Sequence, residues 1–382
     1  MVPARRHPDR RLLAIGRAAR GPLGPGPGRR LLSGPGLALK IVVHGAGSIG
    51  CYIGGAWLAA GLDVSFLGRE RIKDELAEHG LGLSDPQGWN VQLTPDRIAF
   101  DTKAGPALKR ADIVALTVKS IGTEAAAKEI ARVARKGATV ISFQNGVSNA
   151  ETLHRLLPRH NVVQGMVPYN VVRLGPGRWH RATWGDLMAE EAGVTRALAE
   201  AIGDRPGRLL LSNDMESVAW GKLLFNLNNA INALSGLTIL EELKQRDYRR
   251  VFAAAIVETL DLLDLAGIAP AKIGLVGPRQ LAHVVGSPDF IFRNLFLRVQ
   301  KIDPKGKGSM ADDFAAGRQT EVDYLNGEVV RLAERLGRKA PVNAAITALV
   351  KQAELGVERL WSAKELRAHV LGRHRGAAGF GY

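Results

Sequence analysis

The sequence contains three glycines spaced as Gly-x-Gly-x-x-Gly, a pattern that predicts ligand binding by the backbone. Gly45, Gly47 and Gly50 follow the β-branched run KIVVH and open the Ala-rich run CYIGGAWLAAG. In a strand–turn–helix setting the first glycine permits a tight turn, the second lets the backbone approach a pyrophosphate, and the third lets helix and strand pack closely. The helix N-terminus adds free N–H groups. The predicted dinucleotide site therefore comprises Gly45, Ala46, Gly47, Ser48, Ile49 and Gly50.

The charged residues after the next predicted strand, DVSFL, indicate which dinucleotide binds. An acidic residue about 20 residues after the glycines receives the ribose 2′-hydroxyl of NAD, whereas an arginine accommodates the 2′-phosphate of NADP. Arg69 stands at that place, and Glu70 follows it. We therefore predict that the cofactor is NADP(H) and that Arg69 binds its 2′-phosphate. The alternative is that Glu70 binds the ribose 2′-hydroxyl of NAD.

Two more polar residues follow predicted strands at the edge where cofactor and substrate should meet. Lys119 comes after DIVALTV, and Asn145 comes after ATVISF. A lysine there can reach a cofactor phosphate or ribose, and an amide can bridge ribose and substrate because it carries two donors and an acceptor. The alternative for Asn145 and Gly146 is simple turn chemistry.

A lysine and two asparagines share one face of the otherwise apolar predicted helix WGKLLFNLNNAIN. Lys222, Asn226 and Asn229 stand at positions i, i+4 and i+7. The flanking leucines indicate that this helix is buried. The polar stripe is therefore either the wall of a pocket, which we favour, or a solvated face.

The elements that must position these residues fall into two groups. Short β-branched runs alternate with Ala-rich amphipathic segments over residues 40–212, which is typical of βαβ units. Helical periodicity dominates residues 213–370. We predict an α/β fold: a Rossmann-type, doubly wound, mostly parallel sheet followed by an all-α C-terminal domain. Residues 371–382 are interpreted as a tail.

Composition excludes several functional classes. The chain has 382 residues, 46% of them hydrophobic, which suits about two globular domains. Cys51 is the only cysteine, so intramolecular disulfides and cysteine–metal clusters are excluded, and the cytoplasm is the expected compartment. No segment has the ~18 uninterrupted apolar residues of a membrane span. We expect no metal and no membrane association.

The basic charge is concentrated at the N-terminus. The net charge is +15, and residues 1–39 contribute +7 of it through eight arginines and one aspartate. The remaining +8 suits anionic small substrates, and no stripe of basic and aromatic residues predicts nucleic-acid binding. The Arg-, Gly- and Pro-rich residues 1–39 are predicted to be disordered. We expect an over-extended start, with a targeting arm as the alternative.

Together the motifs resemble the ketopantoate reductase (2-dehydropantoate 2-reductase) family over roughly residues 40–370. The matching features are GAGSIG, Lys119, the QNG at 144–146, Lys222 with Asn226, and the S-M…R-x-T-E-V-D-Y-x-N-G block from Ser309 to Gly327. The resemblance implies NADPH as hydride donor and reduction of 2-dehydropantoate to (R)-pantoate, on the way to pantothenate and coenzyme A. A homodimer is a further expectation.

The resemblance also implies roles for individual residues. Lys222 corresponds to the general acid, and Glu321 to the carboxylate that organises the lysine and the cofactor. We expect a lysine beside a carboxylate to keep its proton at neutral pH. Asn145 corresponds to a residue that contacts both cofactor and substrate, and Lys119 to a cofactor contact. The substrate contacts implied are Asn145, Lys222, Asn226, Asn229 and Ser309.

One position departs from the family pattern. A second substrate asparagine commonly lies eight residues after the lysine, where this chain has Ala230. We assign that role to Asn229, with Asn232 as the alternative. The alternative substrate is therefore another 2-keto acid or an opine-like compound, and the alternative class is a non-catalytic NADP-sensing protein.

Overall fold

The structure is a computed structural model that describes residues 39–297, 303, 306–356 and 359–372. Leu39 alone represents the predicted N-terminal arm, and the rest of the arm lies outside the described residues. The strands are β1 (Lys40–His44), β2 (Asp63–Leu67), β3 (Leu81–Ser84), β4 (Asn90–Leu93), β5 (Ala99–Asp101), β6 (Ile113–Leu116), β7 (Thr139–Ser142), β8 (Asn161–Met166), β9 (Val171–Gly175), β10 (Arg178–Arg181), β11 (Leu187–Glu190) and β12 (Leu209–Ser212).

Helices alternate with the strands up to β12 and then follow one another without further strands in the described residues. The first group is α1 (Ser48–Ala59), α2 (Glu70–His79), α3 (Ala104–Leu108), α4 (Thr123–Val133), α5 (Asn149–Leu156) and α6 (Gly193–Ile202). The second group is α7 (Met215–Asn226), α8 (Asn228–Ser235), α9 (Ile239–Leu243), α10 (Arg246–Ala266), α11 (Pro278–Gly286), α12 (Asp289–Ile291), α13 (Ser309–Ala315), α14 (Asn326–Arg335), α15 (Pro341–Glu354) and α16 (Ala363–Gly372). Short 3₁₀ turns cover Pro95–Arg97, Ser120–Gly122 and Val322–Tyr324, and a π-helical turn covers Phe292–Phe296.

The main sheet has eight strands in the order β12-β11-β8-β7-β6-β1-β2-β5. The pairs from β8 to β5 are all parallel, and β11 runs antiparallel to β8. The central strands β1, β6 and β7 are almost wholly buried because helices cover both faces of the sheet, which explains their continuous apolar runs. The predicted doubly wound, mostly parallel sheet with a helical C-terminal domain is confirmed.

A second, four-stranded sheet in the order β4-β3-β10-β9 packs against α1. Three of its strands, β3, β4 and β10, have only four residues each. Periodicity is weak over so few residues, so they were not separable from loop sequence.

The helical half has its own core. Apolar residues of α7, α8, α10, α14 and α15 form one buried cluster that includes Trp220, Leu224 and Ile256. The helix predicted over WGKLLFNLNNAIN is divided at Leu227, where α7 ends and α8 begins. None of the described helices is long and apolar enough to cross a membrane.

Candidate active site

The glycine run after β1 has the geometry that a dinucleotide requires. Gly45 has a φ of +113°, and a Cβ there would lie 2.6 Å from the backbone nitrogen of Val118. A Cβ on Gly50 would lie 2.2 Å from the carbonyl oxygen of Gly45, so this glycine permits the close packing of α1 on the turn. A Cβ on Gly47 would meet no described atom within 4 Å. The turn is therefore tightly packed against neighbouring backbone at Gly45 and Gly50, and it borders open space at Gly47.

The N-terminus of α1 faces this open space without a side-chain cap. Gly47 is the N-cap residue, and no side chain of the described residues caps the helix there. Uncapped N–H groups at a helix N-terminus favour an anion such as a pyrophosphate. The residues present therefore fit a dinucleotide phosphate group.

The charged residues after β2 are also exposed. Arg69 precedes α2, and Glu70 is its first residue. The carboxylate of Glu70 accepts a hydrogen bond from Lys73 Nζ at 2.9 Å, and this bond is the largest cause lowering the pKa of Glu70. Glu70 is thus already engaged by a cation, whereas Arg69 has no ion-pair partner among the described residues.

The centre of the site is a chain of hydrogen bonds that joins the two halves of the protein. Lys222 Nζ donates to Asn145 Oδ1 at 2.8 Å, and Asn145 Nδ2 donates to Glu321 Oε2 at 3.3 Å. The other oxygen of Glu321 accepts the backbone N–H of Ser120 at 2.8 Å. The structure therefore brings together the three residues to which catalytic or bridging roles were assigned, although 77 and 176 residues separate the bonded pairs along the chain.

The loop that carries Asn145 is held by its own buried hydrogen bonds. Ser120 Oγ donates to the carbonyl oxygen of Asn145 at 2.8 Å, and Asn149 Nδ2 donates to Ser120 Oγ at 3.1 Å. Gly146 has a φ of +92°, so the predicted turn is present as well. Turn and function are compatible here, because the turn is what directs the Asn145 amide between Lys222 and Glu321.

The protonation of Lys222 reflects two opposing effects. Burial lowers the pKa of Lys222 to about 8, and the charge of Glu321 acts in the opposite direction. Desolvation is the larger of the two effects, and the expectation from the sequence considered only the neighbouring carboxylate. Lys222 still carries its proton at neutral pH, and its pKa lies close to the range in which a general acid is most effective.

Lys119 pairs with a residue of the helical half that was not among the predicted site residues. Its ammonium forms an ion pair with Asp313 of α13, a residue of the helical half whose side chain is only 3% exposed. Arg318 Nε also donates to Asp313, at 3.1 Å. Lys119 therefore lies at the junction of the two halves, and its predicted cofactor contact stays a prediction.

The three predicted substrate residues other than Asn145 and Lys222 differ in burial. Asn226 and Asn229 are half-buried like Lys222, and Ser309 is exposed at the start of α13. A Cβ on Gly308 would lie 3.6 Å from Asn229 Oδ1, so Asn229 and Ser309 are neighbours. Asn229 therefore lies close to the start of α13.

The departure at position 230 has a structural explanation. Ala230 is fully buried in the helical core, as is the alternative candidate Asn232. The Asn232 amide is engaged by Glu242, Leu237 and Gly308. Neither side chain is accessible to a ligand, whereas Asn229 is only half-buried. The geometry therefore favours Asn229.

Sequence reasoning missed the residues that hold the predicted ones. Ser120 and Asn149 support Asn145, and Asp313 pairs with Lys119. Ser120 follows the predicted site residue Lys119 directly, which is the one local signal that could have identified it. Asp313 lies in a cluster of charged residues that has no periodic pattern, so its partner could not be inferred.

Comparison with known proteins identifies the family. The model described as ketopantoate reductase PanE/ApbA matches residues 41–193, and its C-terminal counterpart matches residues 214–354. A 2-dehydropantoate 2-reductase of Pyrobaculum aerophilum is 33% identical over 222 residues, which are 57% of this chain and 70% of that protein. A 2-dehydropantoate 2-reductase of Halobacterium salinarum is 26% identical over 324 residues, which are 83% of this chain and 99% of that protein.

The fold matches as well. The crystal structure of a PanE/ApbA family ketopantoate reductase from Ralstonia eutropha JMP134 has a TM-score of 0.70 and 27% sequence identity. The similarity covers 83% of this chain and 99% of that chain. From the family models, the relatives and this fold, the chain belongs to the ketopantoate reductase family.

Proposed function

We propose that this protein is an NADPH-dependent 2-keto acid reductase whose substrate is 2-dehydropantoate and whose product is (R)-pantoate. The observation that carries the proposal is the hydrogen-bonded chain from Lys222 through Asn145 to Glu321. It links a cation of lowered pKa through an amide to a carboxylate, between a loop of the sheet half and two segments of the helical half. The relatives named as 2-dehydropantoate 2-reductases support the substrate.

The nicotinamide cofactor fits the edge of the sheet at β1 and β2. The open space at Gly47 and the uncapped N-terminus of α1 suit its pyrophosphate, and Arg69 suits a 2′-phosphate. Lys73 and Lys103 both lower the pKa of the nearby Glu70 by their charge, so this corner of the surface is basic. When bound there, NADPH supplies a hydride to the keto carbon.

Lys222 handles the charge that the reduction creates. As the carbonyl becomes an alcohol, negative charge develops on its oxygen, and a nearby ammonium stabilises that charge and then donates a proton. Asn145 holds the ammonium through its Oδ1 atom, and Glu321 fixes the orientation of that amide through its Nδ2 atom. Solvent returns a proton to Lys222 after product leaves.

Three neighbouring residues of the helical half provide groups for the substrate itself. Asn226 and Asn229 carry amides and Ser309 a hydroxyl, which can bind the carboxylate and the hydroxyl of 2-dehydropantoate. We also propose two domains, residues 40–212 and 213–370, and a role in pantothenate and coenzyme A synthesis. The homodimer and the cytoplasmic location stay predictions.

The test is the initial rate of NADPH oxidation by the purified protein. We expect turnover with 2-dehydropantoate to exceed that with a panel of other 2-keto acids, and NADH to be the poorer donor. Turnover with a different acid alone would replace the substrate while keeping the mechanism. Tight NADPH binding without turnover of any keto acid would refute the proposed reductase activity and favour the NADP-sensing alternative.

The matched variants for this assay are Lys222→Ala and Lys128→Ala. Lys222→Ala should lower kcat by on the order of 10²–10⁴-fold while the affinity for NADPH changes little, as expected for the loss of a general acid. Lys128 is an exposed lysine of α4 and should be replaceable without effect. Normal kcat in Lys222→Ala would remove that residue from the proposed role.

A further inference from the structure

A buried polar cluster lies beneath α8 and takes no part in the hydrogen-bonded chain around Lys222. Its members are Asn228 and Asn232 of α8 and Glu242 of α9, and all three are buried. Glu242 Oε2 accepts hydrogen bonds from Asn228 Nδ2 at 3.0 Å and from Asn232 Nδ2 at 3.1 Å. Burying polar groups in a helical core costs folding free energy unless the groups are hydrogen-bonded, so a cluster of three such residues suggests a specific role.

The Asn232 amide is fully used. Besides its bond to Glu242, Nδ2 donates to the carbonyl oxygen of Leu237 at 3.2 Å, and Oδ1 accepts the backbone N–H of Gly308 at 2.8 Å. The amide therefore has one fixed orientation. Asn228 shares the same carboxylate but makes no hydrogen bond to Gly308 in the described part of the chain, so the two asparagines are chemically alike and positioned differently.

The bond from Gly308 connects this cluster to Ser309 at the start of α13. Gly308 is the residue before Ser309, the first residue of α13, and a Cβ on Gly308 would lie 3.2 Å from Asn232 Oδ1 and 3.6 Å from Asn229 Oδ1. A backbone contact supplements it, since the N–H of Ile239 donates to the carbonyl oxygen of Gly306 at 2.9 Å. Asn232 is thus the side chain that ties the start of α13 to the core of the helical domain.

Glu242 suits this purpose as a neutral acid. Glu242 Oε1 and Asn228 Oδ1 are both buried acceptors without a donor among the described residues, and a proton on the carboxyl group supplies a donor at this place. Burial raises the pKa of Glu242 to about 8. The charge of Glu242 contributes to raising the pKa of Tyr248 of α10, after the larger effect of burial. The hydrogen-bond partners of the Glu242 side chain are the two asparagine amides.

We propose that Asn232 is a positioning residue for substrate binding: held in one orientation by Glu242, it fixes Gly308 and thereby places Ser309 close to Asn229. The inference rests on the proposed function, because it assigns Ser309 to the substrate. It adds a residue that touches neither substrate nor cofactor.

The experiment compares two isosteric substitutions in the same cluster. Asn232→Leu removes the bonds to Gly308, Leu237 and Glu242, and Asn228→Leu removes the bond to Glu242 alone. We expect Asn232→Leu to raise the KM for the 2-keto acid by about 10-fold or more while the KM for NADPH stays within about 2-fold, since the loss is confined to substrate positioning. Asn228→Leu should leave both constants near those of the wild type.

Two further variants keep the test decisive if Asn232→Leu does not fold. Gly308→Ala leaves Asn232 in place but brings a methyl group within 3.2 Å of its Oδ1 atom, so it should also raise the KM for the keto acid. Glu242→Gln retains an acceptor for both amides and provides a permanent donor, so it should behave like the wild type. Hydrogen–deuterium exchange at the Gly308 amide should be faster in Asn232→Leu and unchanged in Glu242→Gln and Asn228→Leu.

The outcomes separate this inference from the proposed function. A wild-type protein that turns over no 2-keto acid overturns the function, and the exchange rate at Gly308 then still tests the bond to Asn232. An active wild type in which Asn232→Leu and Asn228→Leu share the same KM for the keto acid overturns the positioning role. Unchanged exchange at Gly308 in Asn232→Leu overturns it as well.

Discussion

Replacing Glu321 by glutamine should lower the pH at which the enzyme loses activity. The pKa of Lys222 is about 8 because burial lowers it and the charge of Glu321 raises it. Turnover requires the protonated lysine, so kcat of the wild type should be constant below pH 7 and fall about tenfold per pH unit well above 8. Removing the carboxylate charge leaves desolvation unopposed, which lowers the pKa of Lys222 further.

The size of this change follows from the geometry. One amide separates the two charges, which puts them roughly 5–8 Å apart, and at effective dielectric constants of about 20 to 80 their interaction is about 0.5–3 kcal/mol. Lys222 is half-buried, so partial screening by solvent favours the middle of this range. The alkaline limb of the kcat profile should therefore move down by on the order of one pH unit.

A second effect of this substitution does not depend on pH. Glutamine can accept from either Ser120 or Asn145 but not from both, since its amide nitrogen is a donor. One of these hydrogen bonds is lost, which should reduce kcat by about tenfold at every pH. The assay is a kcat profile for NADPH oxidation from pH 5.5 to 9.5.

The matched control is Asp323→Asn. Asp323 lies two residues beyond Glu321 and binds Lys351 Nζ at 2.9 Å, so its charge should not affect Lys222. We expect its alkaline limb to coincide with that of the wild type. An equal loss of kcat in Glu321→Gln at pH 6 and pH 8.5 would refute the electrostatic coupling of Glu321 to Lys222.

Three further changes test other parts of the site. Arg69→Ala should weaken NADPH binding at least about tenfold more than NADH binding, as measured by fluorescence titration; equal losses would contradict its assignment to the 2′-phosphate. Gly50→Ala should abolish dinucleotide binding in the same assay, because its Cβ would lie 2.2 Å from the backbone oxygen of Gly45, and tight binding would contradict this packing argument. Glu242→Gln should stabilise the protein in urea by up to a few kcal/mol at pH 8 and by little at pH 4.5. The sign follows because the raised pKa of Glu242 stabilises the fold at low pH, and this contribution is lost between the unfolded value of 4.5 and about 8; an equal gain at both pH values would show that ionisation is not the cause.

The parts of the fold that were predictable are those with strong local patterns. Residues of β1, β6 and β7 form apolar β-branched runs, and the glycine turn lies directly after β1, so both the parallel sheet and the dinucleotide turn could be inferred from neighbouring residues. The small sheet could not be inferred in the same way, because its short strands pair across long stretches of chain. β3, for example, pairs with β10 almost a hundred residues away.

The candidate site was predictable in its members but not in its contacts. Lys222 and Asn145 carried local signals, a polar position on an apolar helix and a polar residue at a strand end. Their hydrogen bond and the ion pair of Lys119 with Asp313 carried none. Each depends on which surface of the helical half packs against which edge of the sheet.

The sequence by itself determined the secondary structure of the main elements and the glycine turn. It also places Arg69 at the position where an NAD site usually has an acidic residue. These features depend on side-chain type and on spacing within one or two elements, where backbone sterics and periodicity act directly. The tertiary structure alone decided the pKa of Lys222, the orientation of Asn145 and the burial of Ala230 and Asn232. Those properties arise from desolvation and from contacts between residues distant along the chain, so they exist only once the two halves have packed together.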